Sequence, residues 1–152
     1  MTPLAELVAR AVGKVCDPEY PGITICQLGI LEAVKVSATG VATVELVPTV
    51  LGCPAMGVIE SDVRAAALGA GASEVTVRFL NAPAWTPARI QPEAALLLAR
   101  DYTITIRRPG FALSCPRCGS SDVAMQSEFG STPCRAVAWC PSCRNPVEVI
   151  RR

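Results

Sequence analysis

Four of the eight cysteines in this 152-residue chain stand in two Cys-x-x-Cys pairs, Cys115-Pro-Arg-Cys118 and Cys140-Pro-Ser-Cys143. Each pair puts two sulfurs on one tight knuckle, and two knuckles brought together make a tetrahedral four-sulfur metal site. The 21 residues between the pairs slightly exceed the usual gap and are easily spanned by a hairpin, with arms expected at 126–130 and 135–139. Zinc is the default occupant, and a tetrahedral thiolate set also suits iron. Cys134 lies between the knuckles. It either replaces one of the four ligands or stays outside as a free thiol, and two matched pairs favour the second. Unrelated structural cysteines or disulfides are the weaker explanation.

Cys53, at the start of an expected helix and directly before Pro54, is the second candidate. Read as the helix N-cap, its sulfur faces backbone N–H groups and the positive end of the dipole, which favour the thiolate. Such a sulfur can hold a metal transiently or attack an electrophile; a buried, inert thiol is an equally good reading. Cys16 and Cys26 adjoin apolar stretches and read as structural. Asp17 and Glu19 serve equally well as turn and capping residues or as functional acids.

The chain has no histidine. That excludes a Ser-His-Asp triad, a Cys-His dyad and any histidine-ligated metal. A cysteine nucleophile would have to find its base in Asp17, Glu19 or a lysine, and no catalytic residue is assigned. Apolar residues make up 51% and charged residues 18%, enough to build a core and too apolar for a disordered chain. The net charge of +1 creates no general attraction to nucleic acid or acidic lipid. No apolar run approaches a membrane span, and Glu6 interrupts the N-terminal apolar stretch where a signal peptide would be uncharged. A reducing cytoplasm is the expected location.

Two units must position these residues. Residues 1–99 carry 6 basic and 9 acidic side chains, residues 100–152 carry 8 basic and 4 acidic, and five cysteines fall in the last 38 residues. A boundary is therefore expected at the Arg-Pro-Gly turn of 108–110, giving an α+β domain at 1–108 with a linking helix and a ribbon at 109–152. In the first unit, Thr2 caps and Pro3 opens a helix whose apolar face is Leu4, Leu7, Val8, Ala11 and Val15. Strands are expected at 29–36, 41–47 and 74–80, with a turn at Ala38-Thr39-Gly40. A helix to about Leu68 lies between the last two strands, facing the sheet through Met56, Ile59, Val63 and Ala66. Another helix follows Pro92. Helix-strand-strand-helix-strand describes a small two-layer α/β sandwich. In the ribbon, five arginines against three acids are offset by four thiolates on a divalent metal. Only Phe129 and Trp139 could stack on bases, so nucleic-acid binding ranks last.

The run Asp17-Pro18-Glu19-Tyr20-Pro21, then Leu28-Gly29, then Pro48-Thr49-Val50-Leu51-Gly52-Cys53-Pro54-Ala55, resembles the MIP18-type family (domain of unknown function 59). Pro83-Ala84-Trp85-Thr86, CPRCGS at 115–120, SEFGSTPCRA at 127–136 and CPSCRNP at 140–146 narrow the resemblance to the PaaD-type (also PaaJ-type) accessory subunits of phenylacetyl-CoA epoxidases. The resemblance implies a non-catalytic protein that helps mature the oxygenase system through iron–sulfur cluster assembly or delivery, with the oxygenase and reductase subunits and iron–sulfur assembly proteins as partners. It assigns Cys53 as the thiol that holds iron or a cluster, Asp17, Glu19 and Thr49 as the rest of that motif, and Cys115, Cys118, Cys140 and Cys143 as ribbon ligands. One protein thiolate cannot fill a cluster's four ligand positions, so incomplete ligation, or a cluster shared across a homodimer, would favour release. The alternative is a zinc-ribbon adaptor or scaffold subunit with no part in metal delivery.

Overall fold

In the computed structural model, which describes residues 2–151, the first helix begins as its sequence dictates. Thr2 caps α1 (Pro3–Val12), its Oγ1 accepting from Ala5 N at 3.2 Å, and Pro3 opens the first turn. Ala5, Val8 and Val12 are its buried residues, and the helix stops at Gly13. Strands β1 (Leu31–Val36) and β2 (Val41–Leu46) then pair antiparallel. At the turn between them Gly40 has φ +84° and its N–H donates to the Ser37 carbonyl at 3.0 Å, a conformation that suits glycine. Along β2, Ala42, Val44 and Leu46 are wholly buried and alternate with Val41, Thr43 and Glu45, the period-2 pattern of a strand with one face on the core.

Helix α2 (Ala55–Gly69) carries the chain over to β3 (Glu74–Phe79), which lies parallel to β2, giving the sheet order β1-β2-β3. A parallel neighbour requires such a crossover, and α2 supplies it. Helix α1 packs on α2 and β1, and α2 packs on β3. The two-layer α+β arrangement expected from the element order is thus the one observed. The buried row of α2 is Ile59, Val63 and Ala67. Met56 and Ala66, expected on that face, are only half-buried, because the i, i+4, i+8 row through Ile59 and Val63 ends on Ala67. The unit closes at Trp85, whose buried indole Nε1 donates to the Leu28 carbonyl at 2.9 Å.

The chain divides into two compact units, Met1–Trp85 and Thr86–Arg152. The second contains α3 (Pro92–Tyr102), β4 (Ile104–Ile106), β5 (Ala124–Ser127), β6 (Arg135–Cys140) and β7 (Asn145–Ile150), with sheet order β4-β7-β6-β5. Residues 86–108, assigned by sequence to the first unit, fall in the second for a backbone reason. Thr103 turns the chain through φ +55°, and β4 then pairs parallel with β7. The hairpin between the knuckles is present as β5 and β6, antiparallel with one register shift, although its first arm ends at Ser127 and so shares only two residues with the expected 126–130. Ala136, Ala138, Val147 and Val149 make up the ribbon core together with Cys115 and Cys140. Among the described residues no helix is long and apolar enough to cross a membrane.

Burial sets the expected mutational costs. Leu46→Ala, at a wholly buried position of the central strand, should cost about 2–5 kcal/mol, seen as a lowered urea midpoint. Lys35→Ala removes one end of an exposed ion pair with Glu45 at 2.9 Å and should cost under about 1 kcal/mol in the same measurement.

Candidate metal centre

The two knuckles are built alike. In the first, Gly119 N–H donates to the Cys115 carbonyl at 2.9 Å with Gly119 at φ +76°. In the second, Arg144 N–H donates to the Cys140 carbonyl at 2.8 Å with Arg144 at φ +59°. Each Cys-x-x-Cys is thus closed by a left-handed residue that turns the following chain away and leaves both sulfurs on one side. Glycine fits this position; arginine carries a penalty of about 1–2 kcal/mol there. Asn145 stiffens the second knuckle by donating from Nδ2 to the Cys143 carbonyl at 2.8 Å. Neither Arg144 nor Asn145 stands out by sequence, although their place directly after the second cysteine of a knuckle could have marked them.

The sulfurs of Cys115, Cys118, Cys140 and Cys143 all lie within 4.8 Å of one another. Cys115 Sγ is 3.7 Å from Cys143 Sγ, and Cys118 Sγ is 3.6 Å from Cys140 Sγ. A tetrahedron with metal–sulfur bonds of about 2.3 Å has edges of about 3.8 Å, so the four sulfurs fit around one zinc- or iron-sized ion. Disulfides are excluded here, because that bond needs about 2.05 Å. Cys115 and Cys140 are buried, Cys143 is half-buried and Cys118 is exposed. The Asn145 side-chain hydrogen bond, followed by the neighbouring sulfurs, lowers the Cys143 thiol to about 7. At Cys118 the Ser120 backbone hydrogen bond pulls downward, but desolvation and the three other sulfurs outweigh it and push the thiol up to about 11. Without a cation, one negative sulfur here opposes the next.

Cys134 lies outside the four-sulfur group. Its buried Sγ is 3.3 Å from Thr132 Oγ1, at the entrance to β6. Cys53 is in the other unit. The cap of α2 is Pro54 and no side chain caps that helix, so the expectation that Cys53 is the N-cap is corrected by one residue. Pro54, at φ −58° and ψ −28°, is already helical and has no N–H to satisfy. Cys53 therefore stands just outside the helix, and its carbonyl accepts from Met56 N at 3.1 Å. Its side chain is half-buried, after an exposed Leu51 and a Gly52 at φ +79°.

Asp17 is buried and its Oδ1 accepts from Glu19 N at 2.8 Å, shaping the turn that leads into Tyr20. Glu19 and Thr49 are half-buried. Among the described residues, Cys53, Asp17 and Glu19 do not converge as a metal-binding group. Cys16 is half-buried and Cys26 exposed; Ile25 and Leu28 fill the core at that place instead.

A small α+β unit followed by a closed four-cysteine ribbon defines a two-module protein with a metal site in its second module. Residues 6–79 match the family described as iron–sulfur cluster assembly protein, and residues 99–151 match the PaaD zinc beta ribbon domain. A protein from Escherichia coli, named as one of the subunits of 1,2-phenylacetyl-CoA epoxidase, is 33% identical over 156 residues, covering 98% of this chain and 93% of its own. An Fe-S protein maturation auxiliary factor from Porphyromonas gingivalis is 33% identical over 94 residues, covering 61% of this chain and 89% of its own. The crystal structure of a DUF59 domain from Bacillus anthracis superposes with a TM-score of 0.57 at 26% identity, covering 64% of this chain and 92% of that one. The chain belongs to the PaaD family, in which an iron–sulfur-assembly (DUF59) domain is joined to a zinc beta ribbon.

Two outcomes follow from the centre. Cys140→Ser should drop bound metal below one ion per chain on elemental analysis, whereas Cys134→Ser should keep it at one. Protons compete with the metal for sulfur, so the metal should be lost as pH falls, and a chromogenic chelator should extract it faster at pH 5 than at pH 8.

Proposed function

We propose that this chain is a non-catalytic accessory protein that helps mature a multicomponent oxygenase of the phenylacetyl-CoA epoxidase type, with an iron–sulfur cluster as its cargo. In this reading Cys53 is the thiol that meets the cluster, and Asp17, Glu19 and Thr49 shape the surrounding turns. Zinc fills the four-cysteine site and folds the ribbon, which docks the oxygenase or reductase subunits. The observation that carries the reading is a division of thiols. Four cysteines close on one another in the ribbon, while Cys53 stands half-buried at the entrance to α2, inside the stretch matched by the iron–sulfur assembly family.

The chemistry suits a carrier. A tetrathiolate cage saturates its ion and holds it, whereas a single protein thiolate leaves a cluster's other positions to be filled by a second chain or a small thiol. Transfer is then ligand exchange: a client thiolate takes the iron position that Cys53 leaves, and neither iron nor sulfur changes oxidation state. The cytoplasm supplies the reducing conditions this requires.

Metal and sulfide analysis after anaerobic purification tests the proposal. Wild type should carry one zinc per chain together with iron and acid-labile sulfide, and Cys53→Ala should keep the zinc and lose the iron and sulfide. One zinc in both proteins and no iron after reconstitution would overturn the carrier reading in favour of a zinc-ribbon adaptor.

A further inference from the structure

Within the second unit lies a cavity of about 1020 Å³ that none of the four metal ligands lines. Its apolar wall is made by Pro87, Ile90, Pro92 and Phe111, and its charge comes from Arg107, Arg108 and Arg151, with no acidic side chain in the lining. Two of the arginines are held from outside. Arg107 meets Glu128 at 3.2 Å, and Arg151 lies 5.8 Å from the Phe129 ring centroid while its Nη2 donates to the Pro133 carbonyl at 3.0 Å. Phe111 leaves most of its ring, 76%, exposed.

We infer that this cavity is a binding site for a small organic anion: an aromatic or acyl body carrying a carboxylate, phosphate or comparable group. The volume is at the upper end of the range for ligand pockets, about 300–1,000 Å³, and far beyond what an inorganic ion fills. An apolar body alone would strip water from Arg108 and from the guanidinium edges that Glu128 and the Pro133 carbonyl leave uncovered, without replacing those hydrogen bonds. A bare anion would leave the proline, isoleucine and phenylalanine wall wet. A ligand with both parts satisfies both halves of the lining, the planar guanidinium forks taking its oxygens in pairs. The exposed Arg107–Glu128 pair is worth under about 1 kcal/mol, so Arg107 can exchange that partner for a ligand at little cost. This inference goes beyond the maturation role and is independent of Cys53.

The test uses the metal-loaded full chain and two probes that share one ring system. These are 8-anilinonaphthalene-1-sulfonate, which carries an anion, and N-phenyl-1-naphthylamine, which does not. One sulfonate probe per chain should bind saturably, at least tenfold tighter than the neutral probe, with amide shifts centred on Ile90, Arg108 and Phe111. Arg108→Glu should weaken the sulfonate probe at least tenfold with metal content and thermal midpoint unchanged. Phe111→Ala should weaken both probes alike, and Arg10→Glu, on the exposed face of α1, should alter neither by more than twofold. Equal affinity for the two probes, an unchanged Arg108→Glu protein, or shifts centred elsewhere would overturn the inference. So would tighter binding of the peptide acetyl-Asp-Phe-Asp-amide than of the sulfonate probe, which would make the cavity a docking groove for an acidic protein segment.

Discussion

Four sulfurs held within 4.8 Å of one another are tolerable as thiolates only around a cation, and the second unit is built on that constraint. The buried cluster beside the sulfurs is small: two alanines, two valines and two of the ligand cysteines themselves. Burying such short side chains recovers only about 1.5–3 kcal/mol for each valine and less for each alanine. Metal ligation, on the order of 10 kcal/mol or more, is a larger contribution than that whole cluster supplies. The left-handed arginine at position 144, unfavourable for its residue type, is tolerable on the same grounds. Closure of the second knuckle holds it there.

The first unit solves its stability problem differently. Its helices, hairpin and parallel third strand bury larger aliphatic side chains, among them Val8, Val12, Val44, Leu46, Ile59 and Val63. Cys53 lies in this unit, apart from the four ribbon cysteines. Its segment, Leu51-Gly52-Cys53-Pro54, joins the central strand to the crossover helix. There the backbone already bends through a left-handed glycine and a helix-starting proline. A side chain on such a connection can exchange partners without disturbing the sheet, which is where binding residues on rigid scaffolds usually sit.

Much of this was legible from residue spacing, and each exception has its own physical cause. The knuckles, the Thr2 cap, the glycine turn at Gly40 and the alternation along β2 are local signals, each decided within a few residues. The strand β4 is three residues long and takes its identity from a partner more than forty positions later in the chain. No periodicity could reveal it, and the unit boundary moved with it. The buried face of α2 depended on which of two adjacent alanines completes an i, i+4 row, a difference of one residue in phase. At Cys53 the helix opens on the proline because a residue without an N–H costs least there, whereas a cysteine read simply as a cap overlooked that preference. Asp17 reads equally as a turn residue or as a functional acid, and its hydrogen bond from Glu19 N serves the turn and satisfies the polar requirement that burial imposes.

The absence of histidine ties these features together. With no imidazole in the chain, thiolates are the soft ligands it can offer a metal. Where four thiolates converge, the ion is saturated and each sulfur is held by a knuckle closed with backbone hydrogen bonds. A lone thiol on a connecting segment can supply one ligand and no more. The same division appears in the charges. Three of the eight arginines of residues 100–152, Arg107, Arg108 and Arg151, border the apolar wall of the second unit's cavity, Arg107 with Glu128 as its ion-pair partner. Part of the positive balance of the C-terminal third thus borders one concave place. That placement favours recognition of one anionic partner over indiscriminate attraction to polyanions.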